Sequence, residues 1–90
     1  MAAALKPKER AALLAAHAAS DHALHRTRAG FAPTNRPEKV FTRRVMNWLD
    51  ERVLIRYDDP QLPRKATLTD LGLAAAEAEI ARARDLALTA

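Results

Sequence analysis

Between residues 41 and 53 the apolar side chains recur at helical spacing. Phe41, Val45, Trp48 and Leu49 fall at i, i+4, i+7 and i+8, one side of a helix over "FTRRVMNWLDERV". Thr42 or Thr34 caps or precedes its start. From Ile55 the period drops to two: Ile55 and Tyr57 alternate with Arg56 and Asp58, and Ala66 and Leu68 with Lys65, Thr67 and Thr69. That pattern predicts a hairpin over residues 56–69, with the proline-bracketed "DPQLP" as its loop because proline cannot continue a ladder. Thr69 is a good N-cap and Asp70 suits the positive end of a helix dipole, so an alanine-rich helix is predicted over about 70–88. Near the start, Pro7 fits a first helical turn, and "PKERAALLAAHAASDHAL" is rich in helix formers. Leu13, Ala16, Ala23 and Leu24 give it a loose apolar stripe. "HRTRAGF", broken by Gly30, reads as a short strand, and "APTNRPEK" as a loop.

These elements predict one domain over residues 1–90, mostly α with a small β-hairpin and a long C-terminal helix that is a candidate for dimerisation. Of the 90 residues 21 are Ala, which bury little area each but let helices approach closely; thin helical layers and an oligomer follow. A chain of this size buries only about 60–65% of its unfolded surface. With no cysteine, disulfides, thiolate metal sites and cysteine nucleophiles are excluded. No stretch reaches the roughly 20 apolar residues of a membrane span, and no signal-peptide pattern opens the sequence, so a cytoplasmic protein is expected.

Charge sharpens the picture. The net charge is +4, and it is uneven: residues 26–65 hold ten Lys/Arg against five Asp/Glu, residues 1–25 are +1 and residues 66–90 are −2. The excess lies where the second helix and the hairpin lie, and a polyanion such as nucleic acid is the natural partner of such a patch. At about 100° per residue, Arg43 and Asn47 project opposite Val45, with Arg44 and Met46 on the flanks. The outward face turns acidic at Asp50 and Glu51.

"FTRRVMNWLDERVLIRY" followed by "RKATLTDLGLAAAE" resembles the recognition helix, wing and following helix of winged helix-turn-helix bacterial regulators, of the MarR and PadR types, over roughly residues 40–79. The resemblance implies a helix that enters the major groove and a wing that touches phosphate or the minor groove. Two departures make it an abbreviated or variant winged helix. Val53 stands at the helix exit, where the pattern usually has Gly for a left-handed residue, and no second helix of ordinary length precedes Phe41. On this reading Arg43 contacts guanine bidentately and Asn47 pairs with adenine. Thr42, Arg44, Arg36 and Lys39 make phosphate or positioning contacts, and Arg64 and Lys65 hold the backbone beside the wing. The partner is double-stranded DNA, bound by a homodimer suited to paired half-sites, with no cofactor.

Other constellations carry less. His17, Asp21 and His25 at i, i+4 and i+8 span about 12 Å of helix axis, too far for one metal ion, so no metal site is assigned. Trp48 and Phe41 fit a core better than a base-stacking platform. Arg26 and Arg28 pair with Asp21 or lie on a strand face. No nucleophilic triad, phosphate-cradling Gly loop or paired-acid site stands out, and an enzyme is not expected. The competing reading is a protein-interaction module, an inhibitor or adaptor on the same scaffold. Asp50, Glu51, Asp58 and Asp59 favour it, because they repel phosphates if they share the contact face.

Overall fold

The structure, a computed structural model, describes residues 5–89, with side chains as far as residue 87; the ends of the expected 1–90 domain lie outside the described residues. Three helices and four strands follow in the order α1 (Pro7–Ala18), β1 (Ala23–Arg26), β2 (Phe31–Ala32), α2 (Arg43–Glu51), β3 (Ile55–Tyr57), β4 (Lys65–Leu68) and α3 (Asp70–Thr89). The strands make one antiparallel sheet in the order β2-β1-β4-β3. This is a mixed α/β domain: the expected hairpin is present as β3 and β4, and the one short strand expected over "HRTRAGF" is two, β1 and β2, joined by a turn.

The difference begins at the end of α1. The sequence predicts this helix to residue 24, yet it stops at Ala18. Ser20 and Asp21 are poor helix formers because their side chains compete for backbone groups, and Asp21 Oδ1 accepts from the Ala23 amide at 3.2 Å. His22 then takes a positive φ of 52°, and its carbonyl accepts from the Leu68 amide at 2.9 Å. Ala23 and Leu24, assigned from the sequence to the helix stripe, become fully buried strand residues paired with Thr67 and Ala66. At the other end Pro7 occupies the first turn, and the Lys6 amide donates to Glu9 Oε1 at 2.9 Å.

The core lies between the helices and one face of the sheet: Leu13, Leu24, Met46, Leu49, Ile55, Ala66 and Ala76 are all nearly or wholly buried. Met46, placed on a flank by the sequence periodicity, is 0% exposed. The buried stripe of α2 runs along Met46 and Leu49, while Val45 and Trp48 sit at its edges, half-buried. The hairpin buries Ile55, Tyr57 and Leu68 as expected.

Two joints fix the hairpin relative to the helices. Val53, in the left-handed region at φ 61°, closes α2: its amide donates to Asp50 at 3.0 Å and the Leu54 amide to Leu49 at 2.9 Å. This is the paired hydrogen-bond arrangement in which a left-handed residue normally ends a helix. The departure seen in the sequence at Val53 therefore changes the residue and not the way the helix ends; valine takes the left-handed conformation while 56% exposed. At the second joint Thr69 caps α3, its Oγ1 accepting from the Gly72 amide at 3.1 Å while its hydroxyl donates to the Val53 carbonyl. A Cβ on Gly72 would lie 1.9 Å from the Leu54 carbonyl oxygen. The "L-T-x-x-G" of residues 68–72 therefore has a physical reading: Thr69 caps, and Gly72 lets the helix start press on the Leu54 backbone.

Candidate nucleic-acid interface

The outward side of α2 carries three of the residues singled out from the sequence. Thr42 is the N-cap, with Oγ1 accepting from the Val45 amide at 3.4 Å. Arg43, Arg44 and Asn47 are exposed. Asn47 is not a loose surface amide: the Tyr57 hydroxyl donates to its Oδ1 at 2.7 Å. Burial pushes the Tyr57 hydroxyl above its ordinary pKa and the Asp50 charge adds to the effect, against an opposing pull from Arg43, so the phenol stays protonated as a donor. The hydrogen bond orients the amide, leaving its two N–H donors and one carbonyl lone pair for a partner. Arg43 holds its guanidinium carbon 6.0 Å from the Tyr57 ring centroid. A shallow depression on this side is lined by Arg43, Arg44, Asn47, Trp48 and Glu51, so its C-terminal edge is acidic. Arg52 lies 4.5 Å over the Trp48 ring and covers one of its faces.

The hairpin loop is ordered by its own carboxylates. Asp58 Oδ1 accepts from the Arg64 and Lys65 amides at 2.9 and 3.1 Å, and Asp59 Oδ1 from the Gln61 amide at 3.0 Å. The Arg64 amide, and then the Lys65 amide, hold the Asp58 carboxyl below its usual pKa. The two basic residues beside the tip part company on the pleat. Ala66 and Leu68 are buried against the helices and Lys65 and Thr67 are not, so Lys65 points to the other side of the sheet, in register with His25. Arg64 precedes it and faces Arg26, whose amide donates to the Arg64 carbonyl at 2.8 Å; continued alternation puts both on the α2 side. Arg36 and Lys39 are exposed in the loop before α2. Lys39 lines a groove against α1 with Ala11, Leu14 and Ala15, apart from the outward side of α2.

Two further residues belong with Arg43. Arg26 and Arg28 line a cleft of about 250 Å³ together with Thr42, Arg43 and Pro63. The sequence reading allowed them to pair with Asp21, but that carboxylate is taken by His25, whose Nε2 lies 2.7 Å from Asp21 Oδ2. This contact, a hydrogen bond first of all, lowers the Asp21 pKa. The signal in the sequence was an arginine on either side of Thr27 immediately before a glycine turn.

Compared with models of known families, with curated proteins and with solved structures, the chain matches none. Its chemistry must be read from its own surface.

That surface is divided. Arg10 and Arg82 meet at Glu79 at 3.1 and 2.8 Å, and His17 approaches Glu77 at 4.0 Å, all on the α1–α3 side. Arg26, Arg28, Arg43, Arg44 and Arg64 make no ion pair among the described residues. The early end of α1 breaks the row of His17, Asp21 and His25: His25 bonds Asp21 while the His17 ring lies 5.6 Å from that of His22, and among the described residues no three His, Cys, Asp or Glu gather as metal ligands. No helix among them is long and apolar enough to cross a membrane.

Proposed function

We propose that the chain is a small DNA-binding protein of the winged-helix kind, a cytoplasmic transcriptional regulator that acts as a homodimer on duplex DNA. The observation that carries the reading is the set of guanidinium groups on the side of α2 and the adjoining turns that have no carboxylate partner among the described residues: Arg26, Arg28, Arg43, Arg44 and Arg64. Unneutralised cations with the apolar core elsewhere are what phosphate contact needs, because binding then releases counterions from the duplex without first breaking internal salt bridges. Support also comes from the element order, in which the β3–β4 hairpin follows α2 directly and is widened by β1. Asn47, held by Tyr57, is poised to read a base edge, while Arg43 lines the cleft with Arg26 and Arg28 and is left for phosphate. Strand β2 and the loop before Thr42 stand where a second helix is expected, which makes the scaffold a variant. Residues 81–87 of α3 are exposed, with Leu86 at 65%, and offer a second copy a helix to pair with.

The test is duplex affinity as a function of salt. Each phosphate contact contributes about −0.9 to the slope of log K against log salt, so Arg43→Ala with Arg44→Ala flattens the slope by up to about 2 if both touch phosphate. Arg64→Ala weakens binding and Lys65→Ala, on the far side of the sheet, leaves it nearly unchanged. A salt-indifferent affinity, or one untouched by the double substitution, rejects the proposal. Glu51 on the rim of the α2 depression is what favours the alternative, a protein-interaction module. Recovery of one stoichiometric protein partner on a surface that retains no DNA supports that reading.

A further inference from the structure

The turn between β1 and β2 is built to hold a basic tip against the start of α2. The Thr27 hydroxyl donates to the Gly30 carbonyl at 2.9 Å and accepts from the Ala29 and Gly30 amides at 3.3 Å each, so one side chain closes the loop that carries Arg28. Gly30 has a φ of 149°, and a Cβ there would lie 2.4 Å from the Phe41 carbonyl oxygen. Phe31 and Phe41 then exchange two amide–carbonyl hydrogen bonds, both 2.8 Å. Phe41 immediately precedes the N-cap Thr42, which ties the turn to the end of α2 through backbone rather than through flexible side chains.

What this brings together is one-sided in charge. The cleft between the turn and α2 is lined by Arg26, Arg28 and Arg43, with buried Pro63 from the hairpin loop closing one wall, and no carboxylate lines it. No acidic residue occupies the first turn of α2, so the positive end of that helix is also unanswered. At about 250 Å³ the cleft falls below the roughly 300–1,000 Å³ of an organic-ligand pocket. It suits a compact anion. Guanidinium forks match phosphate oxygens bidentately and are weakly hydrated, and two of the three are mounted on a turn pinned to the helix.

We propose that this cleft seats one backbone phosphate of the bound duplex, making the β1–β2 turn a second gripping element beside the β3–β4 hairpin. The inference rests on the duplex-binding reading, and it assigns Arg26 and Arg28 a role that the resemblance does not give them. The phosphate enters between the turn and α2, Arg28 closes over it from the tip, and Arg26 and Arg43 hold its sides. The contact carries no sequence information; it sets how α2 sits in its groove.

The experiment compares the full chain with Arg28→Ala and with Arg26→Ala plus Arg28→Ala, on two synthetic duplexes of equal length and unrelated sequence across a salt series. Circular dichroism of each variant checks that the fold is intact. One phosphate contact is worth about eightfold in affinity at 0.1 M salt, given a dependence near the 0.9 power. The double variant is therefore expected to lose about that factor on both duplexes, with a slope shallower by about 0.9. Amide NMR under titration with inorganic phosphate forms the second arm, with shifts expected at Ala29, Gly30, Arg43 and Arg44. Salt-dependent duplex binding that the double variant retains in full overturns the phosphate seat and leaves the duplex reading standing. Absence of duplex binding by the unaltered chain overturns both. Amide shifts with inorganic phosphate in a chain that binds no duplex assign the cleft to a free anion and overturn the backbone source.

Discussion

Gly72 sits in the first turn of α3, where helix propensity alone says that alanine stabilises. Propensity favours Ala over Gly by about 1 kcal/mol in a helix interior. The structure reverses the sign. An added Cβ falls 1.9 Å from the Leu54 carbonyl oxygen and 3.0 Å from its carbon, and that oxygen cannot retreat freely. It accepts from the Thr69 amide at 3.1 Å, and the Leu54 amide is itself tied to Leu49 at 2.9 Å. Relief therefore moves either α3 or the α2–β3 joint. Overpacking a site of this kind costs about 1–3 kcal/mol, and more where the neighbour is backbone. Losing the Thr69–Leu54 hydrogen bond adds about 1 kcal/mol. Set against about 1 kcal/mol of propensity, Gly72→Ala destabilises by about 1–3 kcal/mol, a fall of about 4–24 °C in Tm for a domain of this size. Urea unfolding followed by far-ultraviolet circular dichroism and Trp48 fluorescence reads it as a lower midpoint at unchanged slope. A midpoint equal to or above that of the unaltered chain refutes the close approach of α3 to Leu54.

Two further outcomes test the joints of the hairpin. At Val53, glycine is expected to be more stable than alanine by about 0.5–1 kcal/mol, because a left-handed L-residue costs about 1–2 kcal/mol and glycine's extra freedom when unfolded returns part of it; paired thermal melts of Val53→Gly and Val53→Ala check the order, and an alanine variant at least as stable contradicts it. At Asp58 the folded pKa lies below the ordinary 3.8, so its contribution is present above that value and is lost as the pH falls through the folded pKa. A carboxyl titration by NMR should give a midpoint below 3.8, and Asp58→Asn should speed hydrogen exchange at the Arg64 and Lys65 amides at neutral pH.

Much of the fold was legible because its signals are local. The period-two run at Ile55–Tyr57 and Lys65–Leu68, the proline-bracketed loop and the Thr69 cap each specify their own conformation, and each stands where the residues put it. The first helix was drawn too long because alanine-rich composition carries no stop signal. The stop came from Asp21 bonding the Ala23 amide and from Leu68 pairing with His22, and the second of these partners is distant in sequence. The same non-local pairing sets the bounds of β1 and β2, which are too short to show a period and read in the sequence as one strand over "HRTRAGF". In the site, Arg43, Arg44 and Asn47 were found by helical geometry. The separation of Arg64 from Lys65 is a one-residue matter of pleat, fixed only once Ala66 is known to face the core. Arg26 and Arg28 were undervalued because their nearest carboxylate in sequence, Asp21, is engaged by His25.

The residues that hold the molecule together and those proposed to hold its partner are largely different, and this makes the binding proposal separable from stability. The core is apolar, and the α1–α3 contact is supported by Arg10, which reaches Glu79 of α3 beside that helix's own Arg82; the Glu79 side chain is 15% exposed. Exposed ion pairs are worth about 0–1 kcal/mol, so leaving Arg28 or Arg44 unpaired sacrifices little folding free energy, and their mutual repulsion is screened over about 10 Å at 0.1 M salt. Truncating them should therefore change affinity without unfolding the chain. The exception is the seam at Gly30, Phe41 and Thr42. There the backbone of Phe41 both pins the β1–β2 turn and leads into the first turn of α2, so a substitution at Gly30 disturbs fold and surface together. Variants at the arginine tips distinguish the two roles, and variants at the seam do not.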